Sequence, residues 1–315
     1  ARILFWDETQ VSSRSVNTEF MLHVPQKLGA VITATESWES WGVFAYNTVI
    51  QVGDEMRMYY DCAAALPGLV RFVCFANSTD GIHWEKPHLG LATFQNSTEN
   101  NIIFPFSEDG GYVEPGTVAF AEDGTWLMAV RWKKPGGDFG TYMLNSTDGL
   151  HFAPMFETPS LSGSDTKNVF WYDESVGKYV GYMRIDSQSP KEHPSPCHGD
   201  GLSEDERRIG RCYFSDLAKW CADEPELVFT FDKYDPECFD VYTNSASRYP
   251  PPYASSTTKP AATEAVFAMA AFYSHIDFSG FSNDGLVETR LLMARSTAES
   301  FTYPASSRVP WIPLG

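Results

Sequence analysis

The chain has 315 residues and a formal net charge of −18 at pH 7. That balance argues against nucleic acid or an anionic membrane as the main partner, since both are bound by clustered Lys and Arg. No apolar run approaches the roughly 18 residues that a membrane span needs, so insertion into a bilayer is not expected.

Aromatic residues make up 15% of the chain, and Gly and Pro occupy 23 and 20 positions. Such a mixture predicts many short strands joined by turns. In chain order, "NTVIQV", "RMYYDC" and "VRFVCFA" read as three strands, followed by the phrase "STDGIHW" from Ser78. "GTVAFA", "WLMAVRW" and "GTYMLN" come next, followed by "STDGLHF" from Ser146. "NVFWYD", "KYVGYMR" and "RCYFS" precede a weaker copy, "FSDLAKW", and a fourth copy, "STAESF", starts at Ser296.

Taking Asp80, Asp148, Asp216 and Ala298 as equivalent, the copies are 68, 68 and 82 residues apart. Similarity at a near-constant spacing marks a repeat architecture. Three strands, a tight turn and a fourth edge strand make one propeller blade. The prediction is an all-β, five-bladed propeller of four-stranded antiparallel blades, forming a single domain over residues 1–315. Blades end near 84, 152, 220 and 301, and the fifth is incomplete, to be finished by chain beyond Gly315 or by another chain. Residues 190–211 read as a polar insertion held by Cys197 and Cys212.

In the repeated phrase, Ser and Asp side chains cap a tight turn and Gly supplies its positive φ. Asp80 and Asp148 are thus expected to be turn residues, and the following Trp84 and Phe152 to pack between sheets.

The six cysteines, Cys62, Cys74, Cys197, Cys212, Cys221 and Cys238, are read as disulfide-forming, with Cys62–Cys74 stapling a hairpin. They show no zinc-type spacing, so neither a metal nor another cofactor is expected. Sequons at Asn77, Asn96 and Asn145 add to the expectation of a secreted or cell-surface glycoprotein.

Functional groups of a propeller gather where its innermost strands begin, around the central funnel. The acids at those points are Glu114, Asp165, Glu237 and Asp240, with Glu39 in the first blade. One acid per blade would converge on one cavity, and paired carboxylates are what glycosidic cleavage requires. Trp41, Trp171 and Tyr242 are placed to stack on sugar rings, and Arg131 to bind the substrate or pair with an acid. The competing expectation is that these acids cap loops or pair with Arg131, Arg184 or Lys167. An exo-sialidase-like reading would need an inward triad of Arg131, Arg184 and Arg248.

"STDGIHWEKPHLGLATFQNSTENNII", "SDTKNVFWYDESVGKYVGYMR", "DVYTNSASRYP" and "VPWIPLG" together resemble secreted glycosyl hydrolase-like five-bladed propellers of the invertase/arabinanase type. The resemblance implies a carbohydrate partner and three acids, from W-x-N-D-P-N-G, R-D-P and E-C motifs. Here "WDET" at Trp6–Thr9 lacks the N-D-P-N-G context, "VEPG" puts Glu114 where Asp is expected, and Glu237-Cys238 matches E-C. On that pattern Glu237 is the general acid, Asp165 or Glu114 the nucleophile or base, and Asp240 tunes their pKa values. The alternative is a non-catalytic extracellular carbohydrate-binding or structural glycoprotein with the same fold.

Overall fold

The computed structural model describes residues 25–66, 68–105, 109–165, 167–188, 205–221, 223–235, 239–249, 265–274, 286–304 and 308–312. Cys197, Glu237 and Cys238 lie outside these residues.

The strands fall into four antiparallel meanders. The first sheet is β1 (Gly42–Val52), β2 (Glu55–Leu66), β3 (Gly68–Ser78) and β4 (Ile102–Phe104). The second is β5 (Tyr112–Phe120), β6 (Trp126–Lys133), β7 (Phe139–Ser146) and β8 (Ala153–Pro154). The third is β9 (Val169–Asp173), β10 (Lys178–Gln188), β11 (Asp205–Phe214) and β12 (Glu226–Phe229). The fourth is β13 (Phe239–Tyr249), β14 (Ala265–Ser274) and β15 (Val287–Ala294), with Thr302 bridged to Met293 where a fourth strand would lie. The protein is therefore an all-β propeller with four described blades, and no fifth sheet occurs among the described residues.

The middle strands are buried on both faces because blades pack face to face. Between the first and second blades, Tyr59, Val73 and Phe104 meet Trp126, Trp132 and Phe152. Between the second and third, Leu127, Ala129 and Met143 meet Phe170, Tyr179 and Trp220. Between the third and fourth, Trp171, Tyr182 and Val228 meet Val266, Phe272 and Leu292. The other face of the first blade is covered by its own chain. Trp38, from the 3-10 turn Ser37–Glu39, and Phe94 pack there against Phe72 and Cys74.

Hydrogen bonds join the innermost strands into a hub. The Val118 amide donates to Thr48 Oγ1 at 3.4 Å, linking β5 to β1. Thr117 Oγ1 donates to the Asn168 carbonyl at 3.0 Å, and the Lys167 amide donates to Thr243 Oγ1 at 3.0 Å. Four blades thus meet through β1, β5, the residues before β9, and β13.

The repeated phrase is a capped turn, as its chemistry predicts. Ser78 Oγ accepts from the amides of Asp80 and Gly81, and Asp80 Oδ1 accepts from those of Ile82 and His83. Ser146 and Asp148 repeat every one of these bonds. Gly81 and Gly149 sit at φ +74° and +77°. Phe152 is completely buried, edge-on to Tyr59, whose hydroxyl donates to the Gly149 carbonyl at 2.9 Å. The second turn therefore seats an aromatic wedge in the seam. Trp84 of the first does not pack between two described sheets as expected: it lies half-buried with Trp38 and Phe94 on the face of the first blade that its own chain covers.

Three further expectations need correction. The fourth strand of the first blade is Ile102–Phe104, well past Trp84, because Glu85 first pairs with Asn77 and a long loop intervenes. Strand β11 already begins at Asp205, so the insertion does not extend to Arg211. Its basic residues hide the start of the strand: Arg208 and Arg211 are buried, and Arg211 bonds the carbonyls of Thr297 and Glu299 and the Glu226 carboxylate. Cys212 pairs with Cys221 and not with Cys197, since the turn after Asp216 brings Cys221 back against β11. The Cys62–Cys74 staple is present.

Two glycines separate the cost of turn conformation from that of seam packing. A Cβ at Gly149 would meet Trp126 Cδ2 and Tyr59 Oη at 2.9 Å, whereas one at Gly124, φ +86°, meets nothing within 4 Å. Gly124→Ala should cost about 1–2 kcal/mol for its backbone alone. Gly149→Ala should add about 1–3 kcal/mol of overpacking. Urea unfolding of both variants checks this; equal midpoints would contradict it.

Candidate functional site

Three of the four innermost strands break register at comparable depth: β1 between Phe44 and Thr48, β5 between Pro115 and Val118, β13 between Val241 and Thr243. Bulges of this kind re-aim side chains and gather beside functional sites. At each, a charged layer lies just toward the strand start. Glu114 and Asp240 each stand one residue before the last regular pair ahead of the irregularity in β5 and β13, and Asp61 is paired with Phe44 at that of β1. Asp165 precedes β9. The acids therefore share one mouth of the propeller.

Each of these acids meets a guanidinium, and the contacts bridge the seams. Arg71, from β3, binds Asp61 through Nε at 3.2 Å and through Nη2, while its Nη1 reaches Glu114 Oε1 of the next blade at 2.5 Å. Tyr112 also donates to that oxygen, at 2.7 Å. Arg131 Nη1 contacts Glu114 Oε2 at 2.9 Å and Asp165 Oδ1 at 3.2 Å, crossing from the second blade to the third. Arg184 Nη2 binds Asp165 Oδ2, and its Nη1 lies 3.5 Å from the Tyr242 carbonyl of the fourth blade. The Arg207 amide donates to Asp240 Oδ1 at 3.2 Å.

Burial separates these groups. Asp61 is inaccessible, and Glu114 and Asp240 are nearly so. The Asp165 side chain keeps 35% of its surface exposed and is the one most open to a ligand. Burial pushes the Asp61 carboxyl up to about 6 against the hydrogen bond and charge of Arg71, with Glu114 adding to the rise. Lys167 lies below, at the hub. Its ammonium donates to the Asn47 carbonyl, and burial pushes its pKa down to about 8.

Aromatic side chains rim the mouth. Trp41, just before β1, is 61% exposed. Phe44 and Phe139 are also exposed and lie against Arg71 and Arg131 at 5.1 and 4.2 Å. Tyr242 is half-buried between Arg184 and Arg207.

The expected sites divide accordingly. Glu114, Asp165, Asp240, Arg131 and Tyr242 come together at the mouth, and Trp41 stands exposed at the start of β1. Glu39 is elsewhere: it is wholly buried, accepting from Tyr60 Oη at 2.7 Å, Lys86 Nζ at 2.6 Å and the amides of Thr35 and Glu36. Trp171 is buried between the third and fourth blades, stacked on Tyr182 at 5.3 Å, and presents no face to the funnel. Arg248 pairs with Val266 toward the opposite end of β13 from Asp240, so it does not join Arg131 and Arg184 as a triad. Asp61, Arg71 and Arg207 were missed. A readable signal existed for the first two: single charges inside apolar strands, in register positions that put both on one face across the hairpin.

Of the sequons, Asn96 is exposed at a two-residue turn between Phe94 and Ser97, and Asn145 is exposed on β7. Asn77 is half-buried, its Nδ2 donating to Glu55 Oε1 at 2.9 Å. No helix among the described residues is long and apolar enough to cross a membrane.

No family model matches the sequence, and no curated protein matches it. Among solved structures, a glycosyl hydrolase from Bacteroides ovatus is similar at 13% identity and a TM-score of 0.53, over 90% of this chain and 81% of that one. A thermostable family-43 glycoside hydrolase aligns at 12% identity and a TM-score of 0.49, over 84% of this chain and 72% of its own. The endo-arabinase from Bacteroides thetaiotaomicron aligns at 12% and 0.45, over 81% and 76%. The first likeness is one of fold, and the two lower scores add nothing to it. The chain is a β-propeller with a glycoside hydrolase-like fold.

The raised Asp61 value has a consequence for stability. The unfolded group titrates near ~3.9, so the folded state favours the protonated form. Its contribution is complete below about pH 4 and is lost as pH rises toward about 6. Asp61→Asn should remove that slope. Unfolding midpoints between pH 4 and 7 should fall more steeply in the natural protein than in the variant; parallel curves would contradict the assignment.

Proposed function

We propose that this chain is an extracellular glycoside hydrolase-like propeller that binds a poly- or oligosaccharide at the funnel mouth and holds it without cleaving it. The observation that carries this reading is the occupation of each described mouth acid by arginine. Glycosidic cleavage needs one carboxylic acid that keeps its proton for the leaving oxygen. A nearby guanidinium favours the ionised carboxylate. Asp61, the acid with a raised pKa, is buried beside Arg71 and out of a substrate's reach. Exposed Trp41, Phe44 and Phe139 offer flat apolar faces to sugar rings, and the charged groups beside them supply hydrogen bonds to hydroxyls.

The location follows from chemistry of the same kind. The Cys62–Cys74 and Cys212–Cys221 bonds favour an oxidising compartment. Asn96 and Asn145, exposed, are the sequons suited to carry glycans, and Asn77 is not. The named activity of the Bacteroides ovatus protein supports carbohydrate as the ligand class.

One observation favours a second, hydrolytic reading. Asp165 is partly exposed and shares Arg131 Nη1 with Glu114, which puts two carboxylates in one small space. Asp165 would then act as nucleophile or base, Glu237 as general acid, and Asp240 would tune their pKa values.

The test is a screen of the glycosylated protein against plant and algal polysaccharides, measuring both retention and reducing ends. Retention without release, weakened about tenfold by Trp41→Ala, is the expected result. Reducing ends that disappear in both Asp165→Asn and Glu237→Gln would establish the hydrolytic reading instead. Neither retention nor release would overturn both.

A further inference from the structure

The face of the first blade that does not meet the second is covered by the turn Ser37–Glu39 and by the loop between β3 and β4. Where turn and loop meet there is an open cleft of about 170 Å³. Trp38 and Phe94 line it together with Ser37, Gln95, Ser97 and Glu99. The two rings stand edge to face at 6.3 Å and are nearly buried, and Trp38 Nε1 donates to Asn101 Oδ1 at 2.7 Å. Packing and that bond fix the apolar part of the cleft.

Its size decides what it can hold. The space is far more than one water needs, yet below the roughly 300 Å³ at which pockets for free small-molecule ligands begin. One sugar ring suits it. A single ring taken from solution would gain too little there to offset its lost freedom of motion. A ring tethered to the rim avoids that loss, because its effective concentration at the cleft is high.

The rim carries such a tether. Asn96 lies between the lining residues Gln95 and Ser97 and opens the sequence Asn96-Ser97-Thr98, an acceptor for an N-linked glycan. It is exposed, at φ +63°, on a hairpin tip closed by reciprocal backbone bonds of 2.9 Å between Phe94 and Ser97. The residue that anchors the hairpin, Phe94, is thus also a wall of the cleft. Asn145 lies on β7 of the second blade and is not part of it.

We propose that a glycan on Asn96 seats its first N-acetylglucosamine in this cleft and clamps the loop of residues 85–101 onto the first blade. Attachment joins Asn96 Nδ2 to C1 of that sugar, releasing the lipid diphosphate of the donor oligosaccharide and one amide proton. The apolar side of the ring meets Phe94 and Trp38, while Ser37 and Glu99 stand ready to bond its hydroxyls and acetamide N–H. The proposal rests on the reading of Asn96 as a glycan carrier and gives that glycan a structural task.

The test is hydrogen exchange of residues 94–100, read by mass spectrometry on the full chain secreted with high-mannose glycans. One portion is trimmed by an endoglycosidase to a single N-acetylglucosamine per site. Thr98→Ala, at an exposed position, removes the acceptor sequence and keeps Asn96 at a positive φ that Asn tolerates better than most residues. Exchange should be about fivefold faster in Thr98→Ala than in the natural protein. Trimming should leave it slow, and so should Asn145→Gln. Equal exchange with and without the Asn96 glycan overturns the seat and leaves the carrier reading in place. Slow exchange that is lost on trimming also overturns it, since the first sugar would not be the contact. Absence of sugar from the Asn96 peptide overturns both.

Discussion

A charge taken out of water must be paired, and in this propeller the pairing is done across the seams between blades. The seams are apolar for most of their depth, and apolar packing holds sheets together without fixing their rotation about the axis. Arg71 to Glu114 and Arg131 to Asp165 supply directional contacts between the first and second and the second and third blades. Arg184 and Arg207 do so against the fourth. Buried ion pairs add little net stability over apolar packing, but removing one partner is strongly destabilising. The mouth is thus fixed in shape by the groups that also give it its chemistry.

That dual use explains why the site reads poorly as an acid pair. The register breaks in β1, β5 and β13 bring one acid per blade to a common level, which is the arrangement a glycosidase needs. The same breaks bring the arginines, and each acid stands against a guanidinium. What remains available at the surface is a set of aromatic faces, partly exposed guanidinium groups and Asp165. Those are the groups that the proposed saccharide binding would use.

The repeat was the most legible part of the sequence because local chemistry dictates it. Ser, Asp and Gly in "STDG" can satisfy one another within a few residues, and the aromatic that follows has an apolar face to cover. The first half of strand β11, ahead of "RCYFS", was hidden because Arg207, Arg208 and Arg211 make it look like polar loop, and their partners come from distant segments. Glu39 and Trp171 looked like site residues for the opposite reason. An acid or a Trp near a strand start can face the funnel or the interior, and only tertiary packing chooses. Asp61 was overlooked because it stands in the middle of "YYDCAA", on the second strand of its blade and not the innermost. Glu114 and Asp165 were found because the innermost strands could be identified from the blade period alone.

The claim that the mouth acids serve as seam contacts is open to one direct measurement, a double-mutant cycle on unfolding stability with Arg71→Met and Glu114→Gln. These two side chains are both nearly buried, belong to different blades and touch at 2.5 Å. A seam contact predicts a coupling of about 1–3 kcal/mol, the single changes costing far more together than the double. Additivity within about 0.5 kcal/mol would mean that the blades do not depend on this pairing, and the account of the mouth would fail with it.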